Sequence, residues 1–118
     1  STSKTPSYTK SVSWQHHQRG ILNDAQVNQD GSKLLSIVSQ DGAGNRARVD
    51  QSGSYNMAWI DQSGNGNDAG ITQDGYGNSA KIIQKGSGNR ANITQYGTQK
   101  TAVVVQKQSQ MAIRVIQR

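Results

Sequence analysis

Cysteine, phenylalanine and glutamate are absent from this 118-residue chain, and proline occurs once, at Pro6. Without cysteine there is neither a disulfide framework nor thiol chemistry. The two histidines, His16 and His17, are neighbours, so strand alternation points them to opposite faces, and no cysteine or glutamate completes a metal site around them. The acids are seven aspartates in no paired arrangement, which leaves an acid–base enzyme without its machinery. Only 31% of residues are hydrophobic and 5% aromatic, too few for an ordinary globular core. No apolar run approaches the about 20 residues of a membrane-spanning helix. These absences point away from an enzyme, with no cofactor and no small-molecule substrate expected.

What the chain has is a period. Glutamine recurs every eleven residues at Gln18, Gln29, Gln40, Gln51, Gln62, Gln73, Gln84, Gln95, Gln106 and Gln117. Two residues before each comes an aliphatic column: Val27, Val38, Val49, Ile60, Ile71, Ile82, Ile93, Val104 and Val115. A small column precedes that one, running from Ala25 and Ser36 through Ala102 to Ile113. Asn23, Asn45, Asn56, Asn67, Asn78 and Asn89 lead the units, and Gly20, Gly31, Gly42, Gly53, Gly64, Gly75, Gly86 and Gly97 follow glutamine by two. The unit is Asn-x-Ala-x-Val/Ile-x-Gln-x-Gly-x-x, and so strict a short period means a stacked repeat.

Eleven residues also fit three turns of a right-handed coiled coil. The spacing inside the unit decides against it, because asparagine, alanine, valine or isoleucine and glutamine stand at steps of two, one face of a strand. Glycine in every unit would also cost a helix about 1 kcal/mol each time. Each unit therefore predicts a seven-residue strand, such as Asn45 to Gln51, and a four-residue arc, Ser52 to Tyr55, whose glycine supplies positive φ. Two units make a 22-residue rung.

The expected fold is all-β: a two-sheet parallel β-solenoid, cross-β and amyloid-like, of five rungs near 12–33, 34–55, 56–77, 78–99 and 100–118, after a flexible leader over residues 1–11. One sheet takes the strands near 12–18, 34–40, 56–62, 78–84 and 100–106, and the other those near 23–29, 45–51, 67–73, 89–95 and 111–117. Identical side chains then lie above one another, and the inward glutamines and asparagines become amide ladders. A polar, Gln/Asn-rich segment also suits low-complexity disorder, but disorder does not need register. The chain opens at Ser1 without Met, as a processed product would.

The outward faces differ. The first sheet shows Leu35, Ile37, Met57, Trp59, Ile83, Val103 and Val105, an apolar strip of the kind that marks interaction surfaces. The second stacks Asp24, Arg46, Asp68 and Arg90, alternating charge that supports the 22-residue rung. Charge is also divided along the chain: residues 1–79 carry six cations and seven aspartates, for −1, and residues 80–118 carry seven cations and no acid, for +7. The basic end either solvates a stack end or attracts an anionic partner, such as a membrane surface or extracellular DNA. Its rung is irregular, with Lys100 and Met111 in place of asparagine, Gln108 in place of glycine and Ile113 in place of alanine.

Units such as Gln40-Asp-Gly-Ala-Gly-Asn45-Arg-Ala47-Arg-Val-Asp-Gln51 resemble the curlin repeat family over residues 12–118. The stretch from Lys85 to Ala102 and the ending from Gln108 to Arg118 are similar to the minor, nucleating type of curlin subunit. The resemblance implies an exported bacterial protein on the outer-membrane surface that templates the major curlin subunit into extracellular amyloid for biofilm and adhesion. It also implies self-association into fibrils, passage through an outer-membrane secretion pore, and surface attachment with an accessory factor through the last rung, where Lys100, Lys107, Arg114 and Arg118 stand.

Two other readings stay open. One is a fibre-forming major subunit. The other is a solenoid that binds ice or polysaccharide, for which outward Thr72, Thr94 and Thr101 are few and scattered. Gly66, Gly75, Gly77, Gly86 and Gly88 resemble parts of a phosphate loop, but no helix N-terminus follows them, and they read as turn glycines.

Overall fold

The computed structural model describes residues 12–21 and 23–118. The leader over residues 1–11 and the side chains of His16, His17 and Gln18 lie outside the described residues.

Ten strands follow one another: β1 (Val12–Ile21), β2 (Asp24–Ser32), β3 (Leu34–Ala43), β4 (Arg46–Ser54), β5 (Met57–Asn65), β6 (Asp68–Tyr76), β7 (Ser79–Ser87), β8 (Arg90–Thr98), β9 (Thr101–Gln106) and β10 (Ala112–Gln117). They form two parallel sheets, in the orders β1-β3-β5-β7-β9 and β2-β4-β6-β8-β10. No helix occurs among the described residues. The chain is thus the two-sheet parallel β-solenoid that its period predicts. Every pairing steps by one rung, as in Gln40↔Gln62 and Gln51↔Gln73. A slip by one residue would turn the whole inward set toward solvent, so the alternation of polar and aliphatic residues pins the register.

Burial follows that alternation. Val27, Val38, Val49, Ile60, Ile71, Ile82, Ile93 and Val104 are buried between the sheets with the alanines beside them. Val115 and Ile113, in the last strand of the stack, are only partly buried. The shortest extent of the molecule is 11 Å, one sheet-to-sheet spacing, so the core is a single interdigitated layer.

Three features depart from the sequence expectations. First, β4 to β8 are nine residues long and run through the glycine and beyond, where seven-residue strands with four-residue arcs were expected. The arcs are superimposed so closely that the backbone ladder continues around the bend, pairing Gly42 with Gly64 and Gly53 with Gly75. Second, the five rungs are not equivalent. Four full turns are followed by a reduced one, whose strands β9 and β10 have six residues each. The β5–β7 pairing reaches Asn65↔Ser87, whereas β7–β9 stops at Gln84↔Gln106. Third, Leu34 occupies the asparagine column of its rung and is fully buried, an apolar plug that the asparagine pattern had concealed.

Ser36 stands in the alanine column of β3, completely buried, and its Oγ has no hydrogen-bond partner among the described residues. An unsatisfied buried hydroxyl costs about 1–3 kcal/mol. Ser36→Ala is therefore expected to raise stability by about 1 kcal/mol, read as a higher urea midpoint. A lowered midpoint would show that the hydroxyl is satisfied after all.

Candidate polymerisation interface

The inward amides are arranged along the stacking axis. Each glutamine donates from Nε2 to Oε1 of the glutamine one rung on: Gln29 to Gln51 at 2.7 Å, Gln51 to Gln73 at 2.8 Å, Gln73 to Gln95 at 2.9 Å and Gln95 to Gln117 at 2.8 Å in one sheet. In the other, Gln40 donates to Gln62 at 2.8 Å, Gln62 to Gln84 at 2.9 Å and Gln84 to Gln106 at 2.8 Å. The same nitrogens also donate across the core to a backbone carbonyl at the start of a strand in the opposite sheet. Gln40 reaches Asp24 O at 3.0 Å, Gln51 reaches Leu35 O at 3.0 Å and Gln62 reaches Arg46 O at 2.7 Å. Both amide protons are thereby used, which glutamate or an aliphatic residue could not imitate. The column is at once an axial ladder and a row of ties between sheets.

Asparagine works on the arcs. Asn45 Oδ1 accepts the Asn67 N–H at 3.1 Å, while its Nδ2 donates to Asp41 O in its own arc at 3.2 Å and to Gly64 O in the next at 3.0 Å. Asn56 Nδ2 does the same to Ser52 O and Gly75 O, and Asn67 Nδ2 to Ser63 O and Gly86 O. Asn23 Nδ2 donates to Gly42 O, and Asn78 Nδ2 to Gly97 O. Asn89 Nδ2 closes its own arc on Lys85 O, and its Oδ1 accepts the Met111 N–H at 3.0 Å. Asn45, Asn56, Asn67 and Asn89 thus clamp their own arcs, and all six asparagines accept an N–H of the following rung.

The arc glycines show why the clamp needs them. Gly31, Gly42, Gly53, Gly64 and Gly75 have φ of 110° to 137°, and a Cβ built on any of them would lie 1.8–2.0 Å from the carbonyl oxygen of the glycine one rung on. Gly86 and Gly97 keep the same backbone, with φ of 121° and 110°. Above Gly86, however, the nearest atom is Gln108 O at 2.9 Å, because the last arc has drawn away.

A second arc column was not read from the sequence as a column. Residues 33, 44, 55, 66, 77, 88, 99 and 110 all adopt left-handed φ between 57° and 71°, as Lys33, Gly44, Tyr55, Gly66, Gly77, Gly88, Gln99 and Gln110. Half of it is glycine, but the other side chains hide the period. Here they can point outward, and Lys33 Nζ donates to Tyr55 Oη at 2.7 Å while sitting 4.9 Å from that ring's centroid. That hydrogen bond holds the exposed Lys33 ammonium above its ordinary pKa. The Tyr55 ring in turn packs against Tyr76 at a tilt of 55°, centroids 5.2 Å apart.

On the outer face of the first sheet Met57, Trp59, Val103 and Val105 are exposed, while Leu35, Ile37 and Ile83 are half-buried. Lys81 Nζ lies 4.6 Å over the Trp59 ring. On the other sheet Asp24, Arg46, Asp68 and Arg90 are aligned as successive partners. Of the basic residues near the end, Lys107, Arg114 and Arg118 are exposed and Lys100 is partly buried. Lys100 precedes β9, Lys107 follows it, Arg114 lies within β10 and Arg118 follows that strand.

Stacked parallel rungs with axial amide ladders define an amyloid-like β-solenoid, a class in which the intramolecular contact between rungs can be repeated between molecules. The Curlin associated repeat family matches residues 22–53, 42–75 and 64–97, which merge into 22–97 of 118, and the chain belongs to that family. No curated protein matches the chain. The family is one of structural amyloid subunits, which self-associate into the extracellular curli fibres of the cell surface.

Proposed function

We propose that this chain is the nucleating, minor type of curlin subunit, which templates the major subunit into fibres at the bacterial surface. The observation that carries this reading is the contrast within one molecule between four regular rungs and a reduced, basic last one. Regular rungs present a preformed edge on which an incoming chain orders, relieved of most of the cost of nucleating the first strands. The irregular rung, with Lys107, Arg114 and Arg118 exposed and Lys100 beside them, suits attachment, either to the accessory factor and pore of the secretion system or to an anionic surface. Biofilm formation and adhesion follow from the fibre. An unbroken glutamine ladder through both sheets also suits a major fibre subunit, the second reading.

The two differ in dose. Purified major curlin monomer, followed by thioflavin T fluorescence, is expected to lose most of its lag when a small molar fraction of this chain, preassembled, is added. An unchanged lag, with this chain alone making abundant long fibres, would favour the structural subunit.

A further inference from the structure

We infer that the two faces of the stack are not equivalent: the C-terminal face, formed by β9 and β10, is a stop for further rungs, and growth proceeds from the N-terminal face of β1 and β2. The direction of growth rests on the nucleating role proposed above; the stop does not. Inside the molecule the hand-over from one rung to the next is directional. Asparagine Oδ1 accepts the N–H of the following rung, asparagine Nδ2 holds the following glycine carbonyl, and the glycine leaves room for that carbonyl.

The last rung receives this hand-over but does not pass it on. Lys100 N donates to Asn78 Oδ1 and Met111 N to Asn89 Oδ1, both at 3.0 Å. Lysine has no side-chain acceptor for a sixth rung and methionine only a weakly accepting thioether, and neither has an amide to hold its arc. Gln108 stands where the column has glycine. The conformation of that column, with φ of 110° to 137° in the glycines, is closed to a residue with a Cβ. Gln108 accordingly lacks positive φ, and the backbone ladder breaks after Gln106, resuming where the Gln110 N–H donates to Ser87 O. Had Gln108 kept the arc, its Cβ would fill the space that the next carbonyl oxygen takes above Gly31, Gly42, Gly53, Gly64 and Gly75. Of the ladder columns, only glutamine reaches the end intact, at Gln106 and Gln117.

A head-to-tail polymer of identical chains needs both faces to match. A second copy approaching the β1/β2 face would offer its own last rung and is the poorer partner. The occupant that fits this face is the end rung of a curlin-repeat chain whose last unit keeps asparagine and glycine in their columns. It would bring the acceptor, the arc clamp and the carbonyl space that this chain's own end has lost.

Restoring the columns tests the stop. The variant K100N/Q108G/M111N/I113A, assembled alone beside the wild type, is expected to give fibres several times longer by electron microscopy. The K100N/M111N pair, which leaves the arc untouched, is expected to give intermediate lengths and guards against misfolding of the fourfold variant. Equal lengths for all three chains would overturn the stop. Wild-type seeds gold-labelled at Arg118 and fed major curlin monomer should extend only from the unlabelled end, and extension from the labelled end would overturn the polarity. No extension from either end would count against nucleation and the growth direction with it, while the lengths of the chain alone still decide the stop.

Discussion

Gly64→Ala is expected to abolish ordered assembly, while Gly66→Ala, two residues along the same arc, leaves it nearly intact. Both glycines have positive φ, 119° and 65° respectively, so φ sign alone does not separate them. The neighbours do. A Cβ on Gly64 would lie 1.8 Å from Gly86 O, whereas one on Gly66 meets nothing within 4 Å. The φ of Gly64 also belongs to a region essentially reserved for glycine, and the combination of strain and overlap costs about 3 kcal/mol or more. The left-handed conformation of Gly66 costs alanine about 1–2 kcal/mol, and Lys33, Tyr55, Gln99 and Gln110 already carry it at equivalent positions. Circular dichroism and the thioflavin T half-time of each purified variant measure the difference. Equal losses at the two sites would overturn the role given to the inter-rung carbonyl contact.

These two glycines also mark where sequence reading succeeds and where it stops. The column ending at Gly97 is unbroken until the last rung and could be read from the period alone, as could the aliphatic and glutamine columns and hence both sheets. The Gly66 column is interrupted by Lys33, Tyr55, Gln99 and Gln110, since an outward left-handed position accepts side chains and selection for glycine is weak. Its signal was the glycine two places after the main one, at Gly44, Gly66, Gly77 and Gly88. The full length of the strands was hidden for a related reason: a bend looks like a turn in one rung, and only superposition of neighbouring rungs makes it part of a ladder. The cross-sheet bonds of glutamine join residues 16 apart, a spacing that has no meaning until the two sheets face each other. Leu34 illustrates the opposite limit, because a missing asparagine reads as degeneracy until its burial shows a plug.

The largest loss from side-chain truncation is expected for the triple variant Gln51→Ala, Gln73→Ala, Gln95→Ala. It removes the four ladder bonds from Gln29 through Gln117 and the ties from Gln51, Gln73 and Gln95 to the carbonyls of Leu35, Met57 and Ser79. Each hydrogen bond is worth about 0.5–1.5 kcal/mol, and each buried group left without its partner costs about 1–3 kcal/mol. Their sum exceeds about 5 kcal/mol even at the low end, as much as the entire stability of many small domains. Replacing exposed Arg48 or Asn92 with alanine should stay within about 0.5 kcal/mol. The rate of β-sheet formation and the urea midpoint of the assembled chain separate the two classes. Because the ties hold one sheet to the other, the triple variant should also lose cooperativity, with the sheets unfolding over a broader range of urea. A triple variant that orders as fast as Arg48→Ala would mean that backbone pairing and the aliphatic column suffice, and the glutamines would then be passengers of the register.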